Sequence, residues 1–116
     1  MLTAKYEVKG NILIIRLQGE LDHHEADILR TNWQKTFYEN DVNHMIVNLE
    51  GITFMDSSGL GVILGRYKEV LQVGGRMIVC NVPTSIKRLF ELSGLFKIVQ
   101  LEETETVALS ALGVAS

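Results

Sequence analysis

Two adjacent hydroxyls beside a carboxylate, Asp56-Ser57-Ser58, run directly into Gly59, Leu60 and Gly61, and no other stretch of the chain is as suggestive chemically. The segment falls where a strand and loop hand over to a helix. At such a start the first backbone N–H groups lack intrahelical partners and the macrodipole is positive. A carboxylate or hydroxyl there can cap the helix, and an attached phosphate would meet free donors. Capping alone accounts for Asp56, Ser57 and Ser58. It does not account for Gly59, Gly61 and Gly65, each costing about 1 kcal/mol against alanine in a helix interior. Gly61 and Gly65 are four residues apart and share a face. A face so bare lets another backbone come close, and two readings stay open: the sheet beneath, or a docking protein above.

Other chemistries are weaker. His23-His24 suggests a metal, but neighbours on a helix point apart, and ligand pairs prefer spacings of three or four. A solvated helix start or a docking contact fits better, so neither a metal nor any other cofactor is expected. Ser57, Asp56 and one of His23, His24 or His44 could be drawn as a hydrolase triad, yet the G-x-S-x-G elbow is missing. Catalysis is not expected. A receiver-like domain phosphorylated on Asp56 is an alternative, with Glu20 and Asp22 completing an acidic pocket. Against it, the chain opens with a hairpin rather than a strand–helix unit. An unmodified interaction scaffold, in which the glycine face only packs, is a third reading.

The elements that must position these residues can be read from periodicity. Tyr6 and Val8 alternate with Glu7 and Lys9, and Gly10-Asn11 turns the chain into Ile12-Leu13-Ile14-Ile15-Arg16-Leu17. That pattern predicts a hairpin whose second strand is buried on both faces. Asp22, with Glu25 three residues on, has the form of a capping box. Ala26, Leu29, Trp33 and Phe37 then recur at helical spacing. Met45 to Leu49 is a third strand. A second helix begins near Ser57, carries Leu60, Leu64, Tyr67 and Leu71 along one face, and stops at Gly74-Gly75. Met77 to Val82 is a fourth strand. Pro83-Thr84-Ser85 opens a short helix with Ile86, Leu89 and Phe90, closed by Gly94. Ile98 to Leu101 is the last strand and Thr104 to Leu112 the last helix, with Glu102, Glu103 and Glu105 as a solvated charge run. The order ββαβαβαβα predicts an α/β domain with a mainly parallel sheet of about five strands, an antiparallel N-terminal edge strand and about four helices.

The 116 residues make one domain, 1–116, with enough apolar content (47%) for one modest core. A net charge of -3 and no basic stripe argue against nucleic acid as a partner. The lone Cys80, in the apolar run Met77-Ile78-Val79-Cys80, reads as a small core hydrophobe. Met1 to Tyr6 lacks the apolar region of a signal peptide, and no apolar run approaches the roughly 20 residues that span a bilayer. A cytoplasmic protein with no membrane contact is expected.

Three motifs carry a family likeness: Gly19-Glu20-Leu21-Asp22, Asp56-Ser57-Ser58-Gly59-Leu60-Gly61-Val62 and Arg88-Leu89-Phe90. By them, and through nearly its whole length, the chain resembles the bacterial anti-sigma factor antagonists, whose STAS fold is shared with the cytoplasmic domain of sulphate transporters. Leu21-Asp22-His23-His24, Gly65-Arg66-Tyr67-Lys68 and the end Leu112-Gly113-Val114-Ala115-Ser116 resemble the sporulation branch of that family. The resemblance implies a STAS-like fold and a phosphoacceptor at Ser57. It implies as partner an anti-sigma factor that is itself an ATP-dependent serine kinase. The unphosphorylated antagonist binds that kinase in its nucleotide-bound form and frees the sigma factor. Phosphorylation ends the binding, and a metal-dependent serine phosphatase restores it. The implied docking surface comprises Asp22, His23, Asp56, Ser57, Ser58, Gly59, Leu60 and Gly61. A phosphate adds about -1.5 to -2 charges, so repulsion at the interface, rather than refolding, is the expected means of release.

Overall fold

Ile12, Leu13, Ile14 and Ile15 are all buried, because the strand that holds them has apolar layers on both faces. It is the second element of a computed structural model in which residues 1–114 are described. Ala115 and Ser116, the end of the segment Leu112 to Ser116, lie outside the described residues. The elements run β1 (Leu2–Lys9), β2 (Ile12–Leu21), α1 (His23–Glu39), β3 (His44–Met55), α2 (Ser57–Gln72), β4 (Met77–Cys80), α3 (Thr84–Ser93), a 3-10 turn (Leu95–Lys97), β5 (Gln100–Glu102) and α4 (Glu105–Ala111). Five strands lie in sequence order across one sheet. β1 is antiparallel to β2, with Gly10 at φ 60° between them, and the remaining neighbours are parallel. This is the expected α/β architecture, edge strand included.

The two faces of the sheet are covered unequally. Leu13, Ile15, Met45, Val47 and Leu49 meet Leu29, Trp33 and Phe37 of α1, Ile63 and Val70 of α2, and Phe90 of α3 in the larger core. Ile12, Ile14, Ile46, Ile78 and Cys80 form the opposite face, against Ala108 of α4. Cys80 is fully buried there, as its apolar context predicts.

Several boundaries differ from expectation, each for a physical reason. β2 and β3 extend past their apolar runs to Leu21 and Met55, with register shifts between Arg16 and Gln18 and between Gly19 and Glu20. Cross-strand pairing, not local hydrophobicity, carries those ends. β4 stops at Cys80 because Asn81 turns to φ 53°. β5 begins at Gln100 rather than Ile98. Ile98 continues the 3-10 turn in a right-handed helical conformation and is half-exposed, while Val99 takes the core position. On α2 the buried residues are Gly59, Val62, Ile63, Arg66 and Val70, so the stripe Leu60, Leu64, Tyr67, Leu71 lies on its flank, with Leu71 exposed. Glu105 is no solvated charge. It accepts from Arg16 Nε and Nη2, each at 2.9 Å, and from Asn48 at 3.1 Å, and so ties α4 to the sheet.

Candidate functional site

Leu21 at the end of β2 is in register with Met55 at the end of β3. Parallel strands that stop level with one another start their helices side by side, so Asp22 and Asp56 become neighbouring N-caps. Asp22 Oδ1 accepts from the amides of His24 at 3.0 Å and Glu25 at 3.1 Å. Asp56 Oδ1 accepts from the Ser58 amide at 2.9 Å, and its Oδ2 reaches across to the His23 amide at 3.2 Å. The Asp56 amide in turn donates to the Leu21 carbonyl at 3.3 Å. One aspartate thereby caps its own helix and braces the start of the other.

Charge is concentrated on this side of Ser57. His23 Nδ1 lies 3.9 Å from Asp56 Oδ2, and the His23 and His24 rings are 4.0 Å apart. Desolvation pushes the Asp22 carboxyl up, but the Glu25 and His24 amides and the two imidazoles outweigh it, and its pKa falls below the ordinary 3.8. Ser57, at the first position of α2, is exposed, and Ser58 is partly buried. Access therefore separates two hydroxyls that the sequence leaves equivalent. The free donors expected around a phosphate are largely taken: the Ser58 amide already serves Asp56, so a phosphate on Ser57 would face a carboxylate in its place.

The three glycines divide. A Cβ on Gly59 would meet Met55 Cγ at 2.6 Å and Leu21 Cγ at 2.9 Å, whereas at Gly61 and Gly65 nothing lies within 4 Å. The sheet-packing reading explains Gly59. At the exposed Gly61 and the half-buried Gly65, packing on the sheet does not explain the missing side chain. Asp22, His23, Asp56, Ser57, Ser58, Gly59, Leu60 and Gly61 are thus brought together, with Gly59 serving beneath the surface rather than on it.

Sequence reasoning missed the other side of Ser57. There Leu60, Gly61 and Leu64 of α2 face Leu95 and Ile98 across an open cavity of about 280 Å³ whose wall includes Ser57. Ile98 was hidden by its resemblance to strand; the Gly94 that ends α3 was the one signal of a change of direction. A larger polar depression of about 370 Å³, lined by Thr3, Lys5, Arg16 and Asn48, lies on the α4 face and shares no residue with this site. Among the described residues no group of three His, Cys, Asp or Glu could hold a metal ion, and no helix is long and apolar enough to cross a membrane. The receiver-like alternative needs Asp56 free at the centre of an acidic cluster, whereas both its oxygens are engaged in capping.

Comparison with known proteins adds three likenesses beyond the family model. The model described as STAS domain matches residues 3–108. An anti-sigma F factor antagonist from Paenibacillus polymyxa is 45% identical over 115 residues, covering 99% of this chain and 98% of that protein. The structure of the anti-sigma factor antagonist SpoIIAA in its unphosphorylated form is similar with a TM-score of 0.76 at 32% identity, covering 97% of this chain and 100% of that one. The Bacillus cell fate determinant SpoIIAA in its phosphorylated form is similar with a TM-score of 0.74 at 35% identity, covering 95% and 99%.

Proposed function

The chain belongs to the STAS domain family and, within it, to the anti-sigma factor antagonists, and from that premise we propose that it is a phosphorylation-gated binding protein acting on an anti-sigma factor in the cytoplasm. Unphosphorylated, it binds a nucleotide-bound anti-sigma factor that is a serine kinase, and so frees the sigma factor. The kinase transfers the γ-phosphoryl group of ATP to Ser57 Oγ: the new P–O bond forms, the bond to ADP breaks, and the hydroxyl proton leaves. The modified protein lets go, and a serine phosphatase restores it by hydrolysis. Likeness to the sporulation branch of the family makes sporulation the programme served.

The observation that carries this reading is the exposed Ser57 hydroxyl on a helix start left open by Gly61. A phosphorylated relative with the same fold supports it. The electrostatics supply the off-switch. A phosphate would add about -1.5 to -2 charges beside Asp56 and Asp22, at a helix start where the Ser58 amide already donates to Asp56. A close-packed partner would have to desolvate that dianion. A loss on the order of 3 kcal/mol, about a hundredfold in affinity, suffices for a switch.

Equilibrium binding of Ser57→Ala and Ser57→Asp to the purified kinase with nucleotide tests the reading. Ser57→Ala is expected to bind like the wild type and to accept no phosphate, and Ser57→Asp to bind about a hundredfold more weakly. Fragmentation mass spectrometry should locate the phosphate on Ser57 and not on Ser58. Identical binding by both variants, or a phosphate destroyed by hydroxylamine as an acyl phosphate would be, would falsify it.

A further inference from the structure

The flank of α2 that carries Leu60 and Leu64, partly buried at the edge of the core, is apolar where it borders Leu95 and Ile98. Leu60 and Leu64 are one turn apart, and with Gly61 and Ser57 they form one wall of the 280 Å³ cavity that Leu95 and Ile98 close on the other side. The rim hydroxyl of Ser93 is already engaged, donating to the Phe90 carbonyl at 3.0 Å and accepting from the Leu95 amide at 3.2 Å. The lining therefore offers almost nothing polar to a ligand. On its wall, Ile98 is 49% exposed. Val99 takes the core position and leaves Ile98 half-exposed on the cavity wall. An open cavity lined by Leu60, Leu64, Leu95 and Ile98 is apolar surface of the kind that marks an interaction site.

We infer that this cavity seats a large apolar side chain of the kinase, leucine to phenylalanine in size, and that docking affinity is gathered there while Ser57 carries the switch. The inference rests on the reading of Ser57 as the kinase's substrate. Ser57 is part of the cavity wall, so a protein that brings ATP to its hydroxyl lies across the mouth. A cavity of this volume is at or below the roughly 300–1,000 Å³ of small-molecule sites, and its lack of convergent polar groups is unlike them. A single side chain is the better fit. The site is then two-sided, with the carboxylates of Asp22 and Asp56 on one flank of Ser57 and an apolar seat on the other. A phosphate on Ser57 would hydrate the rim of that seat, and the incoming side chain would have to strip a dianion of water. One modification thereby weakens both flanks together.

Ile98→Asp places a charge in the seat without touching Ser57, and because Ile98 is half-exposed the fold should survive, checked by thermal unfolding. Kinase affinity is expected to fall at least about tenfold, as for loss of a buried apolar anchor, and KM for phosphorylation of Ser57 to rise by the same factor. Gly61→Leu, which fills the seat from the opposite wall where a side chain has open space, should do the same. Wild-type affinity in both variants overturns the inference, and if Ser57→Asp still loses binding in that case the switch reading stands without it. Normal binding by Ser57→Asp would instead remove the premise itself. Self-association of the free chain that Ile98→Asp abolishes, with kinase affinity unchanged, would assign the seat to a second copy and equally overturn it.

Discussion

Asp56 shows how much one side chain can be asked to do. Its two oxygens satisfy amides at the starts of two helices, and it stands directly before the hydroxyl proposed as phosphoacceptor. The glycines that follow look interchangeable in sequence and are opposites in space. Gly59→Ala would drive a methyl group into Met55 and Leu21, and a destabilisation of about 1–3 kcal/mol is expected from overpacking. Gly61→Ala meets nothing and removes the flexibility of a helical glycine, so a gain of up to about 1 kcal/mol is expected. Thermal unfolding of the two variants reads the sign of each. Equal shifts would discard the division between a packing glycine and a docking glycine.

At the scale of elements, α1 and α2 act as a pair. Their starts are tied by Asp56 and the His23 amide, and about three turns further on they are tied again. Gln34 donates to Glu69 Oε2 at 2.6 Å, the Tyr38 hydroxyl donates to the same oxygen at 3.1 Å, and Arg66 Nε donates to Oε1. Arg66 is 5% exposed, and its Nη1 finds no partner among the described residues. The buried guanidinium is held by Glu69 and by the geometry of both helices. Arg66→Ala would leave the Glu69 carboxylate without its cation and with only Gln34 and Tyr38 as donors, and the expected loss is up to about 3–5 kcal/mol, the range for breaking a buried pair by removing one partner. Urea unfolding measures it; a change below about 1 kcal/mol would mean that water already screens the pair.

For the whole molecule, the unequal covering of the sheet matters most. Three helices protect one face, and the opposite face depends on the seven-residue α4. Beneath α4 the Cys80 thiol is pushed up to about 12 by burial, with Glu105 adding to the effect, so it stays protonated and unreactive while the fold is intact. Hydrogen bonds from Arg16 outweigh desolvation and hold the Glu105 carboxyl below its ordinary 4.5. A depressed folded value means that the stabilisation is complete above that ordinary value and is lost as pH falls through the lower, folded one. Glu105→Gln should accordingly be less stable than the wild type at pH 7, with the gap closing in acid. A gap that persists unchanged at low pH would show that charge at Glu105 is irrelevant to holding α4.

Periodicity and punctuation in the sequence were sufficient for the element order, the antiparallel edge strand, the buried second strand and the capped helix starts, because each depends on neighbours a few residues away. The family motifs also named the residues that the structure gathers at the starts of α1 and α2. Tertiary structure decided what local pattern cannot encode. The flank of α2 that is fully buried carries Gly59, Val62, Ile63, Arg66 and Val70, with Gly59 lying on Met55 and Leu21, while Leu60, Leu64 and Tyr67 of the expected stripe are only partly buried at the core's edge. The strand ends at Leu21 and Met55 were set by pairing across the sheet. Ile98 was sent outward because Val99 took the core position. Burial and proximity are properties of chain segments far apart in sequence. So the hydroxyl proposed as phosphoacceptor could be named from its motif, whereas the apolar cavity beside it emerged only when α2 met the turn after α3.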